Sequence, residues 1–201
     1  DRNGDANPVM HVDRLNLQNT PEQIELVPVG EVERAVFDRL MEELPERFGP
    51  RVRVGESVPL RSAWYDEARG QVQADAILDA LVGRRRDDLW LLGIVDADIF
   101  VPGLSFIFGQ ATVGGCCALI SLARLRGAFH GEEEDPERFH RRVLIEAVHE
   151  LGHVAGLAHC PDAECVMHFS ETIEDTDRKG PDFCARCTAR PAGSHVGGGS
   201  P

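Results

Sequence analysis

The amino-acid sequence predicts an α/β (α+β) protein built on a mixed, twisted β-sheet that is covered by helices. Segments with the period of strands alternate with segments of helical period over the first two thirds of the chain. The 201 residues are enough for one domain with a sizeable core, or for two subdomains around a cleft. Histidines are clustered on a further predicted helix, and two pairs of cysteines follow it.

Five segments have the composition of short strands, and they cover residues 24–29, 51–54, 89–95, 105–112 and 117–123. The segment 89–95 is a near-continuous apolar run, which predicts a strand that is covered on both faces. Gly114 and Gly115 mark the turn between the last two strands.

Three helices are predicted. Residues 31–44 carry apolar side chains on one face, and Pro45 is expected to end that helix. Residues 73–82 form a second amphipathic helix. The acidic residues 132–135 and the following Pro136 suit the start of a long third helix, because Pro and acidic side chains are both favoured in a first turn.

The chain is predicted to have four parts. Residues 1–23 form an N-terminal extension, and residues 24–156 form an N-terminal subdomain that ends with the third helix. Residues 157–190 form a small C-terminal subdomain that contains the cysteine pairs. Residues 191–201 are rich in Gly and Ser, and this composition predicts a disordered tail.

The third helix carries His149, Glu150 and His153 in the spacing of a zinc-binding His-Glu-x-x-His motif. The two histidines are four residues apart, so both project from one face of a helix at a separation of about 6 Å. Gly156 permits the left-handed backbone that ends a helix and reverses the chain. His159 can then supply a third nitrogen.

Three protein ligands leave the fourth tetrahedral position of zinc open to water, as a catalytic site requires. Glu150 is displaced around the helix from its neighbour and can reach that water. The alternative is a solvent-facing helix with scattered histidines. That alternative explains the amphipathic pattern of the helix, but it does not explain a histidine three residues after the glycine.

The cysteines after the helix have the Cys-x4-Cys and Cys-x2-Cys spacing of a structural zinc site, with Cys160, Cys165, Cys184 and Cys187 as ligands. The alternative is a set of disulfides that includes Cys116 and Cys117, which we otherwise expect to be buried apolar residues. No segment has the pattern of a secretory signal, so we expect a cytoplasmic location, where thiolate clusters are usually metal sites.

His159 and Cys160 are adjacent in the sequence. Side chains of neighbouring residues in an extended segment point to opposite sides, so one peptide unit could carry ligands of two different metals. The cysteine site would then hold the loop that carries the third histidine, and we expect Cys184→Ser to weaken metal binding at the histidines.

The run from His149 to Cys187 resembles the archaemetzincin family, including Met167 within its cysteine set and Phe183 before the second cysteine pair. Residues 106–111 and 121–126 also resemble this family, and the similarity covers roughly residues 24–188. The resemblance implies a metzincin-like mixed twisted sheet with an active-site helix, and a small C-terminal subdomain stapled by a second zinc.

The resemblance also implies residue roles. His149, His153 and His159 would bind a catalytic zinc, and Glu150 would be the general base. Cys160, Cys165, Cys184 and Cys187 would bind a structural zinc, which makes two zinc ions per chain. Met167 would be the Met-turn residue, packed beneath the histidines.

The net charge of −13 disfavours nucleic-acid binding through phosphate contacts. No apolar run approaches membrane-spanning length, so no membrane partner is expected. We expect a monomer that acts on a peptide or protein substrate. Lys179 is the only lysine in the chain and lies near the predicted cleft, although its position is also compatible with a surface residue.

These observations predict a zinc-dependent metallopeptidase that hydrolyses peptide bonds by a zinc-activated water. An extended substrate could pair with the strand around residues 106–111. Tyr65 and Lys179 are candidates for stabilising the tetrahedral intermediate. The alternative function is a metal-stabilised peptide-binding protein with little or no turnover, and the motif does not distinguish internal from terminal cleavage.

Overall fold

The computed structural model describes residues 21–189. Its main sheet has five strands in the order β2-β1-β5-β8-β7, and a second sheet has three short strands in the order β3-β4-β6. In chain order the strands are β1 (Gln23–Val29), β2 (Arg51–Val54), β3 (Tyr65–Asp66), β4 (Gln71–Gln73), β5 (Leu89–Val95), β6 (Ile99–Phe100), β7 (Gly109–Ala111) and β8 (Cys117–Ser121). In the main sheet β2, β1, β5 and β8 are parallel, and β7 pairs antiparallel with β8 at the edge.

Helices cover both faces of the main sheet. They are α1 (Arg34–Phe48), α2 (Ala74–Val82), α3 (Pro136–Val154), α4 (Ile173–Arg178) and α5 (Ala185–Thr188). Alternate residues of the central strands pack against α1 and α3 in one core, whereas the intervening residues pack against α2 in a second core. All seven residues of β5 are buried, as predicted for a strand between two helical layers. The predicted α/β class with a mixed twisted sheet is therefore confirmed.

The predicted end of the first helix at Pro45 is wrong. Helix α1 begins at Arg34 and continues through Pro45 to Phe48, and it is closed by Gly49 at a φ of 96°. Proline removes only its own backbone donor, while Phe48 and Arg47 are buried on the last turn and hold it against the core. The Arg47 side chain also donates to the carbonyl of Glu43, 2.9 Å away.

The predicted strand over residues 105–112 is shorter than expected. Only Gly109–Ala111 form strand β7, and Phe108 adds one hydrogen bond, which its carbonyl accepts from Ser121 of β8. Residues 104–107 line a cavity instead of joining the main sheet. Ile107 donates a backbone hydrogen bond to Ile99 of the small sheet. That small sheet was not predicted, because strands of two or three residues carry almost no periodic signal.

Helix α3 begins where the sequence predicts. The carboxylate of Asp135 accepts hydrogen bonds from the backbone N–H groups of Glu137 and Arg138, and Pro136 occupies the first helical position. The helix ends at Val154, and Gly156 has a φ of 89°, which reverses the chain. This reversal brings residues 157–189 back beneath α3.

The predicted N-terminal extension lies outside the described residues except for residues 21–23, and the predicted tail over 191–201 lies wholly outside them. None of the helices formed by residues 21–189 combines the length and apolarity that crossing a membrane requires.

Candidate active site

Three imidazole rings converge at the C-terminal end of α3. The Nε2 atom of His153 lies 3.1 Å from Nε2 of His149 and 3.2 Å from Nε2 of His159. His149 and His153 project from one face of the helix, and the turn after Gly156 returns His159 to them. The structure thus brings together all three histidines that the sequence predicts as ligands.

These nitrogens fit a zinc ion. Two nitrogens bound tetrahedrally at 2.0–2.1 Å are about 3.3 Å apart, close to the separations observed here. Nδ1 of His149 donates to the carbonyl of Val166, and Nδ1 of His153 donates to the carbonyl of Leu157, each over 2.7 Å. Because each Nδ1 carries the proton, each Nε2 presents its lone pair to the common centre.

The histidines are held in the neutral form that metals require. Burial lowers the pKa of His149 well below the ordinary imidazole value, and the nearby Lys179 adds to this effect. Burial also lowers the pKa of His153. Partial burial, aided by His153, lowers the pKa of His159 to about 4.

Glu150 lies beside the three histidines and is buried. Burial raises its pKa well above the ordinary carboxyl value, the charge of Glu146 adds to the rise, and Lys179 opposes it. The edge strand β7 passes directly over this carboxylate at Gly109. A Cβ atom at Gly109 would lie 2.6 Å from Glu150 Oε1, so only glycine leaves the carboxylate its space.

The histidines and Glu150 open into a cavity of about 590 Å³. Its walls are residues 104–111 with Val113 on one side, α3 on another, and Phe169 to Glu171 with Lys179 on the third. Phe169 is half-exposed at the mouth, where its ring centroid is 5.0 Å from that of His159. Tyr65, a candidate for stabilising the tetrahedral intermediate, is not part of the cavity wall.

Lys179 is not a surface residue. Its side chain is fully buried, and Nζ donates to the carbonyl of His168 at 3.1 Å. Nζ also lies 3.5 Å from Oε1 of Glu146. The single lysine therefore forms a buried ion pair in the wall of the cavity.

The four cysteines after α3 form a second cluster. The Sγ atoms of Cys160 and Cys184 are 3.8 Å apart, as are those of Cys165 and Cys187. A disulfide needs about 2.05 Å. Tetrahedral zinc with Zn–S bonds of 2.3 Å places its sulfurs about 3.8 Å apart, so the cluster fits zinc.

Cys165 makes two contacts that lower the pKa of its thiol. The Sγ contact with Cys187 lowers the pKa of Cys165 to about 5, and the backbone N–H of Cys184 donates to the Cys165 sulfur over 3.4 Å. Cys116 and Cys117 lie apart from this cluster, where Cys117 is buried and Cys116 is partly buried.

Met167, the predicted Met-turn residue, lies against α3. The side chain is fully buried and packs against α3 at Gly152, between the two helical histidines. A Cβ atom at Gly152 would overlap the Met167 sulfur, so the close approach of this loop depends on glycine.

Sequence reasoning did not single out Gly109 or Glu146. A glycine inside a strand pattern is a signal for close approach of another group, and Gly109 has that context. Glu146 lies within a buried apolar run of α3, and it falls one helical turn before His149 and Glu150. Acidic side chains are rarely buried, so a single acid within this apolar run could have indicated a functional group.

Comparisons with known proteins agree with this architecture. The profile of peptidase family M54 matches residues 32–191. The archaemetzincin of Pyrococcus furiosus is 44% identical over 173 residues, which are 83% of this chain and 90% of the relative.

Solved structures give the same result. The crystal structure of archaemetzincin from Methanopyrus kandleri matches with a TM-score of 0.74 and 39% identity, over 87% of this chain and 95% of that chain. A zinc-dependent peptidase from Methanocorpusculum labreanum matches with a TM-score of 0.73 and 26% identity, over 82% and 97% of the two chains. This chain therefore belongs to peptidase family M54, the archaemetzincins, and is a zinc metallopeptidase.

Proposed function

We propose that this protein hydrolyses peptide bonds at the cluster of His149, His153 and His159, with Glu150 as general base. The convergence of the three Nε2 atoms beside a buried carboxylate carries this proposal. Zinc held by the three imidazoles would supply Lewis acidity, which lowers the pKa of a bound water and polarises a peptide carbonyl.

Glu150 accepts the proton of the attacking water and delivers it to the departing amine. Burial raises the pKa of this carboxyl, which makes the carboxylate a stronger base than an exposed glutamate. Gly109 has no side chain that could displace the carboxylate, and it therefore leaves room for it.

The edge strand β7 supplies the surface for the substrate backbone. One side of β7 pairs with β8, and β7 is the last strand of the sheet on its other side. Residues 109–111 of this strand also line the cavity that holds Glu150. An extended peptide can therefore add to the sheet and place a carbonyl over the histidines.

We also propose that Cys160, Cys165, Cys184 and Cys187 bind a second, structural zinc. The two Sγ separations and the lowered pKa of Cys165 support this ligand set. The protein would then hold two zinc ions per chain.

Glu150→Gln tests the catalytic proposal, with Glu42→Gln on the exposed face of α1 as the control. We expect Glu150→Gln to keep the wild-type zinc content and to cleave a peptide library about 10²- to 10⁴-fold more slowly. The control is expected to cleave like the wild type. Cleavage by Glu150→Gln at the wild-type rate would remove Glu150 from the mechanism, and wild-type binding without cleavage would favour a peptide-binding protein.

A further inference from the structure

The cavity continues along α3 beyond Glu150 and reaches a buried ion pair. Glu146 lies one helical turn before His149 and Glu150, and its side chain is 3% exposed. Lys179 reaches it from the end of α4 and is fully buried. Both residues line the same cavity as the histidines, so the ion pair forms part of the wall around a ligand held there.

The polar groups of the recess have unused hydrogen-bonding capacity. Glu146 accepts from Thr176 over 3.0 Å and from Lys179 over 3.5 Å, and both bonds go to Oε1. An ammonium has three donors, of which Lys179 directs one to Glu146 and one to the carbonyl of His168. Within residues 21–189, this leaves Oε2 of Glu146 as an acceptor and one N–H of Lys179 as a donor.

Ser170 adds a third such group. Its Oγ atom is buried, has no hydrogen-bond partner among residues 21–189, and belongs to a residue of the same cavity wall. Buried polar atoms without partners are rare in folded proteins. A ligand that both donates and accepts would match these groups of the cavity wall.

We propose that this recess is a specificity subsite for a carboxamide side chain, Gln or Asn, next to the scissile peptide bond. The inference rests on the proposed function, because the histidines must hold the scissile carbonyl. The amide N–H₂ would donate to Oε2 of Glu146, and the amide oxygen would accept from Lys179 or Ser170.

Other side chains are less suited to the recess. An apolar side chain would displace solvent and leave buried polar groups without partners. An acidic or basic side chain would meet both members of an ion pair, so attraction to one is offset by repulsion from the other. A carboxamide, by contrast, offers two donors and an acceptor without adding charge.

The ion pair could instead serve only to dock α4 on α3. A separate contact already holds α4 on α3: Arg142 of α3 donates two hydrogen bonds, of 2.7 and 2.6 Å, to the carboxylate of Asp177 in α4. Asp177→Asn weakens this docking without changing the recess, and it is therefore the control for a purely structural role.

The test uses zinc-loaded protein and two peptide series, one varied on each side of the scissile bond. The variable residue is Gln, Glu, Lys or Met, which are similar in length. Wild-type kcat/KM is measured for each peptide, and calorimetry measures peptide binding to Glu150→Gln. We expect Gln to exceed each of the other three by at least about tenfold in one series. Equal values, or a preference for Met, would overturn the subsite.

Charge variants provide a second, opposite-sign readout. Lys179→Met leaves the Glu146 carboxylate without its partner, so we expect this variant to prefer peptides with Lys at the variable position. Glu146→Gln leaves Lys179 without its partner, so we expect that variant to prefer peptides with Glu. Asp177→Asn is expected to keep the Gln preference. If either charge variant does not fold, the wild-type ranking of the four peptides decides.

The same measurements separate the two proposals. Selective binding of Gln peptides without cleavage would reject the proposed function alone, whereas cleavage without selectivity would reject the subsite alone.

Discussion

His149 donates a 2.7 Å hydrogen bond from Nδ1 to the backbone carbonyl of Val166, which lies between a cysteine of the second cluster and the buried Met167. This bond orients the ring and leaves Nε2 for a metal. Cys160 also follows His159 directly, and its backbone N–H donates to the carbonyl of Met167 over 2.8 Å. The two clusters are therefore connected at two of the three histidines.

This connection predicts that Cys184→Ser weakens metal binding at the histidines as well as at the cysteines. The loop that carries Val166 and Cys160 loses its anchor, and loss of such orienting contacts typically costs 10- to 100-fold in metal affinity. Zinc titration with a competing chelator measures both sites. Cys116→Ser, outside the cluster, is expected to retain both affinities. Unchanged histidine-site affinity in Cys184→Ser would show that the sites are independent.

Gly109→Ala is expected to reduce kcat by about a hundredfold while zinc content stays at the wild-type level. The new methyl group would lie 2.6 Å from Glu150 Oε1 and displace the carboxylate, and a shift of about 1 Å can cost that much in rate. Gly83→Ala is the matched control, because its Cβ would meet nothing closer than 3.5 Å. Steady-state kinetics measure kcat, and metal analysis measures the zinc content of both variants. If Gly109→Ala is as active as Gly83→Ala, the steric argument is wrong.

Gly152→Ala is expected to destabilise the protein by about 1–3 kcal/mol, because the added methyl group overlaps the sulfur of Met167. Removing that sulfur should relieve the clash. The double variant Gly152→Ala/Met167→Ala is therefore expected to be more stable than the sum of the two single effects. Denaturant unfolding of all four proteins measures the coupling, and simple additivity would mean that the two residues do not compete for space.

In metal-free protein, His159 is expected to titrate near pH 4 and to be neutral at pH 7. Because folding lowers this pKa, the folded state favours the neutral ring. The contribution of His159 to the free energy of unfolding is therefore fully present above about pH 6.5. That contribution is lost as the pH falls from 6.5 towards 4. An NMR titration of the imidazole, assigned with His159→Gln, checks the value. Titration near pH 6.5 would mean that the ring is solvated like a free histidine.

Much of this protein was determined by local sequence. The candidate ligand clusters could be predicted without knowing the packing, because their signals are short spacings along the chain. These signals are the separation of His149 and His153, the glycine that returns His159, and the two cysteine pairs. The start of α3 was likewise predictable, because Asp135 and Pro136 act on the first turn alone.

Tertiary structure decided the features that join distant segments. Pro45 remains inside α1 because burial of the last turn outweighs one missing hydrogen bond. Gly109 and Glu150 meet because β7 crosses α3, and Glu146 pairs with Lys179 across 33 positions of sequence. Spacing and propensity describe a chain's immediate neighbours, whereas these contacts arise only when separate elements bury their apolar faces together and bring polar groups within bonding distance.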